Sequence, residues 1–308
     1  MRALVIGYGS IGKRHVQLLN TLEKITDVDI VTKQNIKEYP GKHFLTLQDI
    51  PNLSEYDYFV IANETYKHFD TLHSILRRVR KKKILVEKPL FCKQKELNIF
   101  DNEVFVAYNL RFHPVIEELN KILKNEKILF VNIFTGQYLP TWRPQRDYRL
   151  SYSASLEQGG GVLLDLSHEI DYINFLFSHI VSLKSFNKKI SNLEISSDDI
   201  FTAIGETENG ALINISLDYI SKKPLRRILV HTLNKTVEAD LINNHIEIFD
   251  TTSKMQSIKK KSDKNESYKK MHMAVIENRH QKLCSFEEGL EIIKLIDTIR
   301  QRETIYEN

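Results

Sequence analysis

Residues 3–12 read ALVIGYGSIG, a short apolar run that leads straight into three closely spaced glycines. The apolar run predicts a buried strand, and apolar residues at helical spacing after the glycines predict a helix. In this pattern Gly7 makes a tight turn, Gly9 lets the backbone approach a pyrophosphate, and Gly12 lets the helix pack closely on the strand. Ser10 and Ile11 complete the loop. The sequence therefore predicts a dinucleotide-binding site at this end of the chain.

Short apolar runs alternate with amphipathic stretches over the first third of the chain. A crossover helix is predicted around residues 69–79, and the predicted strands are 3–6, 28–32, 58–62, 84–87 and 104–108. This alternation is typical of a parallel sheet with helices on both faces. We therefore expect an α/β fold with an N-terminal dinucleotide-binding Rossmann domain over residues 1–118.

The pattern changes after about residue 126 to longer β-rich segments joined by turns. These predicted strands are 128–136, 182–190, 200–207, 211–219, 227–232 and 246–250, with a hairpin turn at Glu208-Asn209-Gly210. A helix is predicted over 161–177, and a capping box at Ser285 and Glu288 predicts another. We expect residues 119–308 to form a C-terminal α+β domain with a mainly antiparallel sheet that binds substrate.

Composition excludes several classes of protein. The 308 residues carry a net charge of +4 and include 2 cysteines. No apolar stretch approaches the roughly 18 residues of a membrane span, and the positive charge is not concentrated as phosphate-backbone binding requires. We therefore expect neither a membrane nor a nucleic acid as a partner. Two cysteines without metal-ligand spacing favour a reducing compartment, the cytoplasm, and give no sign of a metal site.

The end of the second predicted strand bears on the choice of cofactor. An acidic residue there would bind the ribose hydroxyls of NAD, but the strand ends in Thr32-Lys33-Gln34. A hydroxyl followed by a cation suits a 2'-phosphate, so we expect NADP(H) to be favoured over NAD(H). The alternative is an ordinary turn in which Lys33 is only solvated.

Glu87-Lys88-Pro89 ends the fourth predicted strand, at the edge where open α/β sheets bind ligands. The Lys88 ammonium could donate a hydrogen bond to a carbonyl oxygen on which negative charge develops. The alternative is a surface lysine in a strand-end turn.

A glycine-rich segment, residues 159–172, carries the other candidate catalytic groups. If it forms one helix, Asp165, His168 and Tyr172 share one polar stripe. His168 could take a hydroxyl proton at neutral pH, with Asp165 orienting the imidazole or stabilising the imidazolium. The alternative is a structural histidine.

Aromatic and basic residues alternate over residues 138–152. Aromatic faces suit the apolar side of a sugar ring or a base, and guanidinium groups suit carboxylate or phosphate. We expect an anionic, polyhydroxylated substrate. The candidate substrate residues are Tyr148, Arg149 and Tyr152, with Tyr172 from the glycine-rich segment. Alternatively, part of the segment packs against the cofactor or a neighbouring subunit, with Trp142 and Arg143 as members.

Together these motifs resemble the Gfo/Idh/MocA family, named for glucose-fructose oxidoreductase, inositol dehydrogenase and rhizopine catabolism. The matching segments are GYGSIGKRH at 7–15, VIAN at 60–63 with His68 behind it, EKPL at 87–90, YNLRFHP at 108–114, Trp142-Arg143, and the helix with Asp165 and His168. The stretch 138–154 is similar to a subgroup linked to bacterial surface-sugar biosynthesis.

The resemblance implies a second domain whose open sheet forms a homo-oligomer. It also implies that Lys88 and His168 meet at the nicotinamide. The cofactor neighbours it implies are Ala62, Asn63, His68, Glu87, Asn109, Trp142 and Arg143. The chain departs from the family in one respect: the histidine follows the aspartate by three residues instead of four, which leaves the role of Asp165 open.

These observations predict an NAD(P)-dependent oxidoreductase that moves a hydride between nicotinamide and a sugar carbinol or ketone. The alternative is a non-catalytic nucleotide-sensing or regulatory protein on the same fold, because a fold alone does not establish an activity.

Overall fold

The computed structural model describes residues 1–36, 39–252, 254–261, 263–301 and 305–307. Two compact units divide the chain. The first comprises Met1–Asn109 and Asn265–Ile293, and the second comprises Leu110–Lys264 and Lys294–Asn308. The units differ from the domains expected from the sequence in two places. Residues 110–118 belong to the second unit, and residues 265–293 return to the first.

The first unit contains a seven-stranded sheet in the order β15-β6-β5-β4-β1-β2-β3. The strands are β1 (Arg2–Ile6), β2 (Asp27–Val31), β3 (His43–Phe44), β4 (Tyr58–Ile61), β5 (Lys83–Val86), β6 (Glu103–Val106) and β15 (Cys284–Ser285). All pair in parallel except β15, which is antiparallel to β6. The expected Rossmann-like parallel sheet is confirmed.

Helices accompany this sheet. They are α1 (Ser10–Leu19), α2 (His68–Leu76), α7 (Glu266–Ile276) and α8 (Phe286–Gln301), whose residues from Lys294 onward belong to the second unit. The central strands β1 and β4 are buried almost throughout, as expected for strands covered on both faces. The expected capping box opens α8, because the Ser285 N–H donates to Glu288 Oε2 at 2.7 Å and the Glu288 N–H donates to Ser285 Oγ at 3.2 Å.

The second unit contains a nine-stranded sheet in the order β14-β13-β12-β11-β7-β10-β9-β8-β16. Its strands are β7 (Ile128–Gly136), β8 (Ile180–Lys188), β9 (Ile200–Thr207), β10 (Leu212–Asp218), β11 (Leu225–Thr232), β12 (Lys235–Asp240), β13 (His245–Asp250), β14 (Met255–Lys259) and β16 (Ile305–Glu307). Only the β7–β10 pair is parallel. The expected open, mainly antiparallel sheet is confirmed, and so is the hairpin between β9 and β10, where Gly210 has a φ of 77°.

The helices of the second unit differ in one place from the prediction made from the sequence. They are α3 (Pro114–Leu123), α4 (Leu139–Trp142), α5 (Val162–Asp165) and α6 (His168–Phe177), together with the end of α8. The single helix predicted over 161–177 is wrong, because the chain leaves the helical conformation at Leu166, with φ −100° and ψ 29°. Asp165 therefore lies on α5, whereas His168 and Tyr172 lie one turn apart on α6. The three side chains do not share one helical stripe.

Among the described residues, no helix has an apolar stretch of the length needed to cross a bilayer.

A buried ion pair anchors α6 within the second unit. The guanidinium of Arg111 meets the carboxylate of Asp171, with Nη2 2.7 Å from Oδ1 and Nε 2.9 Å from the same oxygen. Both side chains are almost fully buried, at 2% and 0% exposed. Phe175 packs against the guanidinium. Since both side chains are buried, removing one of them would cost the other this charged contact with no water to replace it.

We expect Asp171→Ala to lower the free energy of unfolding by about 3–5 kcal/mol, because it leaves the Arg111 guanidinium buried without its counterion. Urea titration followed by circular dichroism measures this. Replacing both partners by leucine should recover much of the loss, and Glu238→Ala, at an exposed pair with Arg227, should cost no more than about 1 kcal/mol. An Asp171→Ala effect as small as that control would contradict the assignment.

Candidate active site

The candidate site of the first unit lies at one edge of the parallel sheet. Strands β2, β1, β4 and β5 are neighbours in that order, and their carboxyl ends lie side by side because the strands are parallel. The strand order reverses at β1, which has β2 on one side and β4 on the other. Open α/β sheets bind ligands at such a reversal. The sheet thus brings together the residues that follow these strands: Gly7–Gly12, Thr32-Lys33, Ala62-Asn63 and Glu87-Lys88.

The glycine loop, residues 7–12, has the geometry that its sequence predicts. Gly7 has a φ of 97°, and a Cβ there would lie 2.5 Å from the backbone nitrogen of Asn63. A Cβ on Gly12 would overlap the carbonyl oxygen of Gly7. Gly9 differs, because a Cβ there would meet no heavy atom within 4 Å. Two glycines are thus required by packing, and the third faces open space.

The start of α1 fits a dinucleotide phosphate. In the described structure no side chain caps this helix, and its first turn carries no acidic residue. The first N–H groups of the helix are therefore available to an anion, and the helix dipole favours one there. The open space at Gly9 lets that anion approach the backbone.

Thr32 and Lys33 follow β2 as expected, but their side chains differ in environment. Thr32 is buried, and its Oγ1 accepts the N–H of Gln34 at 3.2 Å. The Lys33 side chain is exposed and makes no hydrogen bond or ion pair with the described part of the chain. Any selectivity for a 2'-phosphate at this edge would therefore come mainly from Lys33.

Asn63 follows β4, and His68 begins α2. The buried His68 imidazole has Nε2 3.1 Å from the carbonyl oxygen of Asn63 and Nδ1 3.1 Å from that of Pro89. Burial lowers the pKa of His68, although these carbonyl groups oppose the shift. The Asn63 amide donates to Thr71, and within the described residues its buried Oδ1 has no hydrogen-bond partner. That oxygen is a ready acceptor for a cofactor hydroxyl or amide.

Glu87 and Lys88 form the turn after β5. The Glu87 carboxylate is 7% exposed; its Oε2 accepts the Lys88 N–H at 3.1 Å and its Oε1 lies 2.8 Å from Nε2 of His15. Lys88 is half-buried, and the Lys88–Pro89 peptide bond is cis. Asn109, another expected cofactor neighbour, uses its amide to donate to Ser267 Oγ at 2.8 Å.

Asp165 of the second unit is held by tyrosines. The Tyr219 hydroxyl donates to Asp165 Oδ2 at 2.6 Å. The negative charge of Asp165, with burial, raises the pKa of the Tyr152 hydroxyl well above its usual range, so Tyr152 also stays protonated. Trp142 packs edge-on against Tyr219 with 5.2 Å between ring centroids. Sequence reasoning found Asp165, Tyr152 and Trp142 but missed Tyr219, which follows a strand with no motif around it.

Packing explains two glycines of the run 159–161. A Cβ on Gly160 would overlap the carbonyl oxygen of Tyr152, and one on Gly161 would overlap the Asp198 carboxylate. Arg300 donates both to that carboxylate and to the Gly160 carbonyl oxygen, at 2.8 Å each. At Gly160 and Gly161 the absent side chain therefore admits neighbouring protein rather than a ligand.

The expected substrate residues are hydrogen-bonded to other groups of the second unit. Arg149 makes a two-pronged pair with Asp147, at 2.7 and 2.9 Å. The Tyr148 hydroxyl accepts the N–H of Glu194. Tyr172 is fully buried, and its hydroxyl donates to Glu169 at 3.4 Å.

Arg143 and Arg146 are exposed, and the described residues offer neither of them a carboxylate partner. Nor does any group of three or more His, Cys, Asp or Glu in the described ranges have the arrangement of a metal site.

Family models cover almost the whole chain. Residues 1–103 match the model "Oxidoreductase family, NAD-binding Rossmann fold", and residues 120–303 match "Oxidoreductase family, C-terminal alpha/beta domain". The chain belongs to the Gfo/Idh/MocA oxidoreductase family. It is an oxidoreductase with an NAD-binding domain, as the motifs predict.

Solved structures share this fold over their full length. Levoglucosan dehydrogenase in complex with NADH and levoglucosan is 14% identical, with a TM-score of 0.84 over 98% of this chain and 96% of that one. UDP-N-acetylglucosamine 3-dehydrogenase from Acidithiobacillus ferrooxidans is 17% identical, with a TM-score of 0.79 over 98% and 97%. An Agrobacterium radiobacter oxidoreductase bound to NAD+, L-tartaric acid and magnesium is 14% identical, with a TM-score of 0.79 over 98% and 96%. A search of curated proteins gives no match.

The different surroundings of the glycines in this family member can be tested directly. We expect Gly9→Ala to change the free energy of unfolding by less than about 1 kcal/mol, because its φ of −71° suits alanine and the added methyl meets no protein atom. The same variant should weaken NADH binding, measured by nicotinamide fluorescence.

Gly7→Ala is the matched control, because there the methyl meets backbone and φ is positive. It should cost about 1–3 kcal/mol of stability or more. Equal stability losses in the two variants, or unchanged NADH affinity in Gly9→Ala, would contradict the assignment of Gly9 to the cofactor.

Proposed function

We propose that the chain is an NAD(P)-dependent dehydrogenase or reductase that acts on a carbinol or ketone of a sugar or sugar derivative. The observation that carries the proposal is the turn after β5, where buried Glu87 holds the Lys88 N–H at the same sheet edge as the glycine loop. A lysine at that edge is suited to donate a hydrogen bond, or to transfer a proton, to a substrate beside a dinucleotide. Structural neighbours whose ligands include levoglucosan and L-sorbose support a sugar as the substrate class.

The catalytic roles that we propose belong to Lys88, His168 and Asp165. The nicotinamide, when bound, supplies or accepts the hydride. The Lys88 ammonium donates a hydrogen bond to the substrate oxygen and stabilises negative charge that develops there. His168, which opens α6, takes the hydroxyl proton in oxidation and returns it in reduction. Asp165 accepts hydrogen bonds from tyrosine hydroxyls, so its proposed contribution is to fix Tyr219 and Tyr152 around the substrate.

We propose an anionic substrate, such as a sugar phosphate, a nucleotide sugar or a sugar acid. The support comes from Arg143 and Arg146, two exposed guanidinium groups that the described residues do not neutralise. Arg149 is less suited to grip an anion than its sequence position implies, because Asp147 already occupies two of its donors. Its proposed role is to shape the segment that also carries Tyr148.

We also propose a homo-oligomer that forms through the open face of the nine-stranded sheet. Large apolar side chains on this sheet are exposed, at 56% for Phe186, 61% for Ile204 and 55% for Leu212. Such a surface is typical of a protein–protein interface.

A cytoplasmic location is proposed because Cys92 and Cys284 are both present as thiols.

Lys88→Met should lower kcat by about two to four orders of magnitude, the range expected on losing a positioned proton-transfer or electrostatic group. NADH and NADPH affinity should change little. The assay is a panel of neutral sugars and their anionic derivatives, followed at the nicotinamide absorbance. The proposed substrate class predicts turnover of the anionic members first.

The control is Lys93→Met, which removes an exposed lysine five residues away and should keep normal turnover. Turnover by Lys88→Met within a few-fold of the unmodified chain would refute the role of Lys88. NADH binding without turnover on any member would favour the nucleotide-sensing alternative.

We propose that NADP(H) is preferred, because Lys33 is exposed and uncommitted next to Thr32. One charge-assisted hydrogen bond to a 2'-phosphate contributes about 1.5–3 kcal/mol, or about 10-fold to 150-fold in affinity. Lys33→Ala should remove that preference and leave NADH affinity unchanged. Fluorescence titration with NADH and NADPH decides the matter, and equal or tighter NADH binding by the unmodified chain would exclude the preference.

A further inference from the structure

Four buried polar side chains of the first unit are hydrogen-bonded to one another. These hydrogen bonds take no part in the proposed chemistry. Glu87 Oε1 lies 2.8 Å from His15 Nε2, His15 Nδ1 lies 2.8 Å from His272 Nε2, and His272 Nδ1 lies 2.8 Å from the Tyr58 hydroxyl. The two imidazoles and Tyr58 are 0% exposed, and Glu87 is 7% exposed. We call these four residues the imidazole chain.

The hydrogen bonds of the imidazole chain run in one direction. An ionised Glu87 can only accept, so His15 must carry its proton on Nε2. The free Nδ1 of His15 then accepts from Nε2–H of His272, whose own Nδ1 accepts from the Tyr58 hydroxyl. Burial lowers the pKa of His272 and raises that of Tyr58, which keeps the imidazole neutral and the hydroxyl protonated.

The opposite direction leaves one group unsatisfied. If a protonated Glu87 donated to His15, Tyr58 would have to accept from His272 and find another acceptor for its own proton. Within the part of the chain that the structure describes, the Tyr58 hydroxyl has no second partner. Moving the three protons along the chain would instead create a buried phenolate, which burial disfavours. The imidazole chain therefore holds a fixed arrangement and is not a path for protons.

This arrangement links the helix that follows the glycine loop to the turn that carries Lys88. His15 lies on α1, one turn beyond the glycine loop, and His272 lies on α7. Both oxygens of Glu87 are used, one by His15 and the other by the Lys88 N–H. We propose that His15 and His272 are positioning residues that fix the Glu87 carboxylate and thereby hold the Lys88 turn in place relative to the glycine loop. Only the effect on turnover rests on the proposed function.

Two substitutions at His15 separate positioning from simple packing. Glutamine places its Nε2 where the imidazole has Nε2, so His15→Gln keeps a donor to Glu87 and loses the acceptor for His272. Asparagine places its Oδ1 where the imidazole has Nδ1, so His15→Asn keeps the acceptor for His272 and loses the donor to Glu87. The proposal predicts that only the asparagine variant frees the Lys88 turn.

The first measurement is the imidazole 1H–15N spectrum of the full chain labelled at histidine, without cofactor. We expect His15 and His272 both as the Nε2–H tautomer, with protons that exchange slowly with water. The His272 resonance should persist in His15→Asn. In Tyr58→Phe, which keeps the ring volume, His272 should keep the Nε2–H tautomer because His15 Nδ1 still accepts from it. The 15N shift of His272 Nδ1 should change, because that atom loses the hydroxyl that donates to it.

The second measurement is titration of each variant with NADH. We expect Kd to change less than about 3-fold, since the glycine loop is intact. The nicotinamide fluorescence gained on binding should fall by about half or more in His15→Asn, because the ring is held less firmly. His15→Gln should retain most of this gain. With a sugar that the panel identifies, kcat should fall about 10-fold to 100-fold in His15→Asn, with KM little changed.

The spectrum and the NADH titration need no substrate, so they test the positioning role even if no sugar is turned over. An Nδ1–H tautomer for either histidine, or an equal fluorescence gain in the asparagine and glutamine variants, would overturn the proposal. If His15→Asn does not fold, Tyr58→Phe decides, since an Nδ1–H form of His272 in that variant, or an unchanged 15N shift of His272 Nδ1, would contradict the imidazole chain.

Discussion

The candidate cofactor edge depends on the packing of Gly7 against the backbone that follows β4. Strand β1 pairs with β2 on one side and with β4 on the other, so the chain after β1 emerges where the strand order reverses. There is no room for a side chain between Gly7 and the Ala62-Asn63 peptide, and φ at Gly7 is positive. A larger residue would push the glycine loop away from β4. The start of α1 would then no longer stand over the sheet edge.

The sequence predicts those parts of the fold in which a local pattern is strong. Strand β7 and strand β9 have the predicted limits, because their side chains alternate over eight or nine residues. The two-residue strands β3 and β15 are too short to show any period. Helix α7 was missed because its buried side includes Ser267 and His272, which look polar in the sequence. The break at Leu166 was missed because residues 162–177 contain no glycine or proline to mark it.

The candidate site also has parts that a local pattern in the sequence indicates and parts that it does not. Spacing within one segment points to the glycine loop, Lys88 and His168 as candidates. Spacing cannot find a partner such as Tyr219, which is 54 residues from Asp165, or His272, which is 257 residues from His15. The reading of Arg149 as an anion-binding group failed to include Asp147, two residues away, because a sequence does not show which neighbouring charges will pair.

Two of the buried carboxylates, Asp171 and Glu87, are held by different kinds of partner, and the difference bears on what each can do. Asp171 meets a guanidinium, so its charge is cancelled where it lies, and the pair anchors α6. Glu87 meets the His15 imidazole and the Lys88 backbone N–H, so each of its two oxygens has a hydrogen-bond partner within the first unit. The Glu87 carboxylate therefore joins α1, which follows the glycine loop, to the turn after β5, which carries Lys88. A substitution at His15 that removes its hydrogen bond to Glu87 would break this link without altering the loop or the turn in sequence.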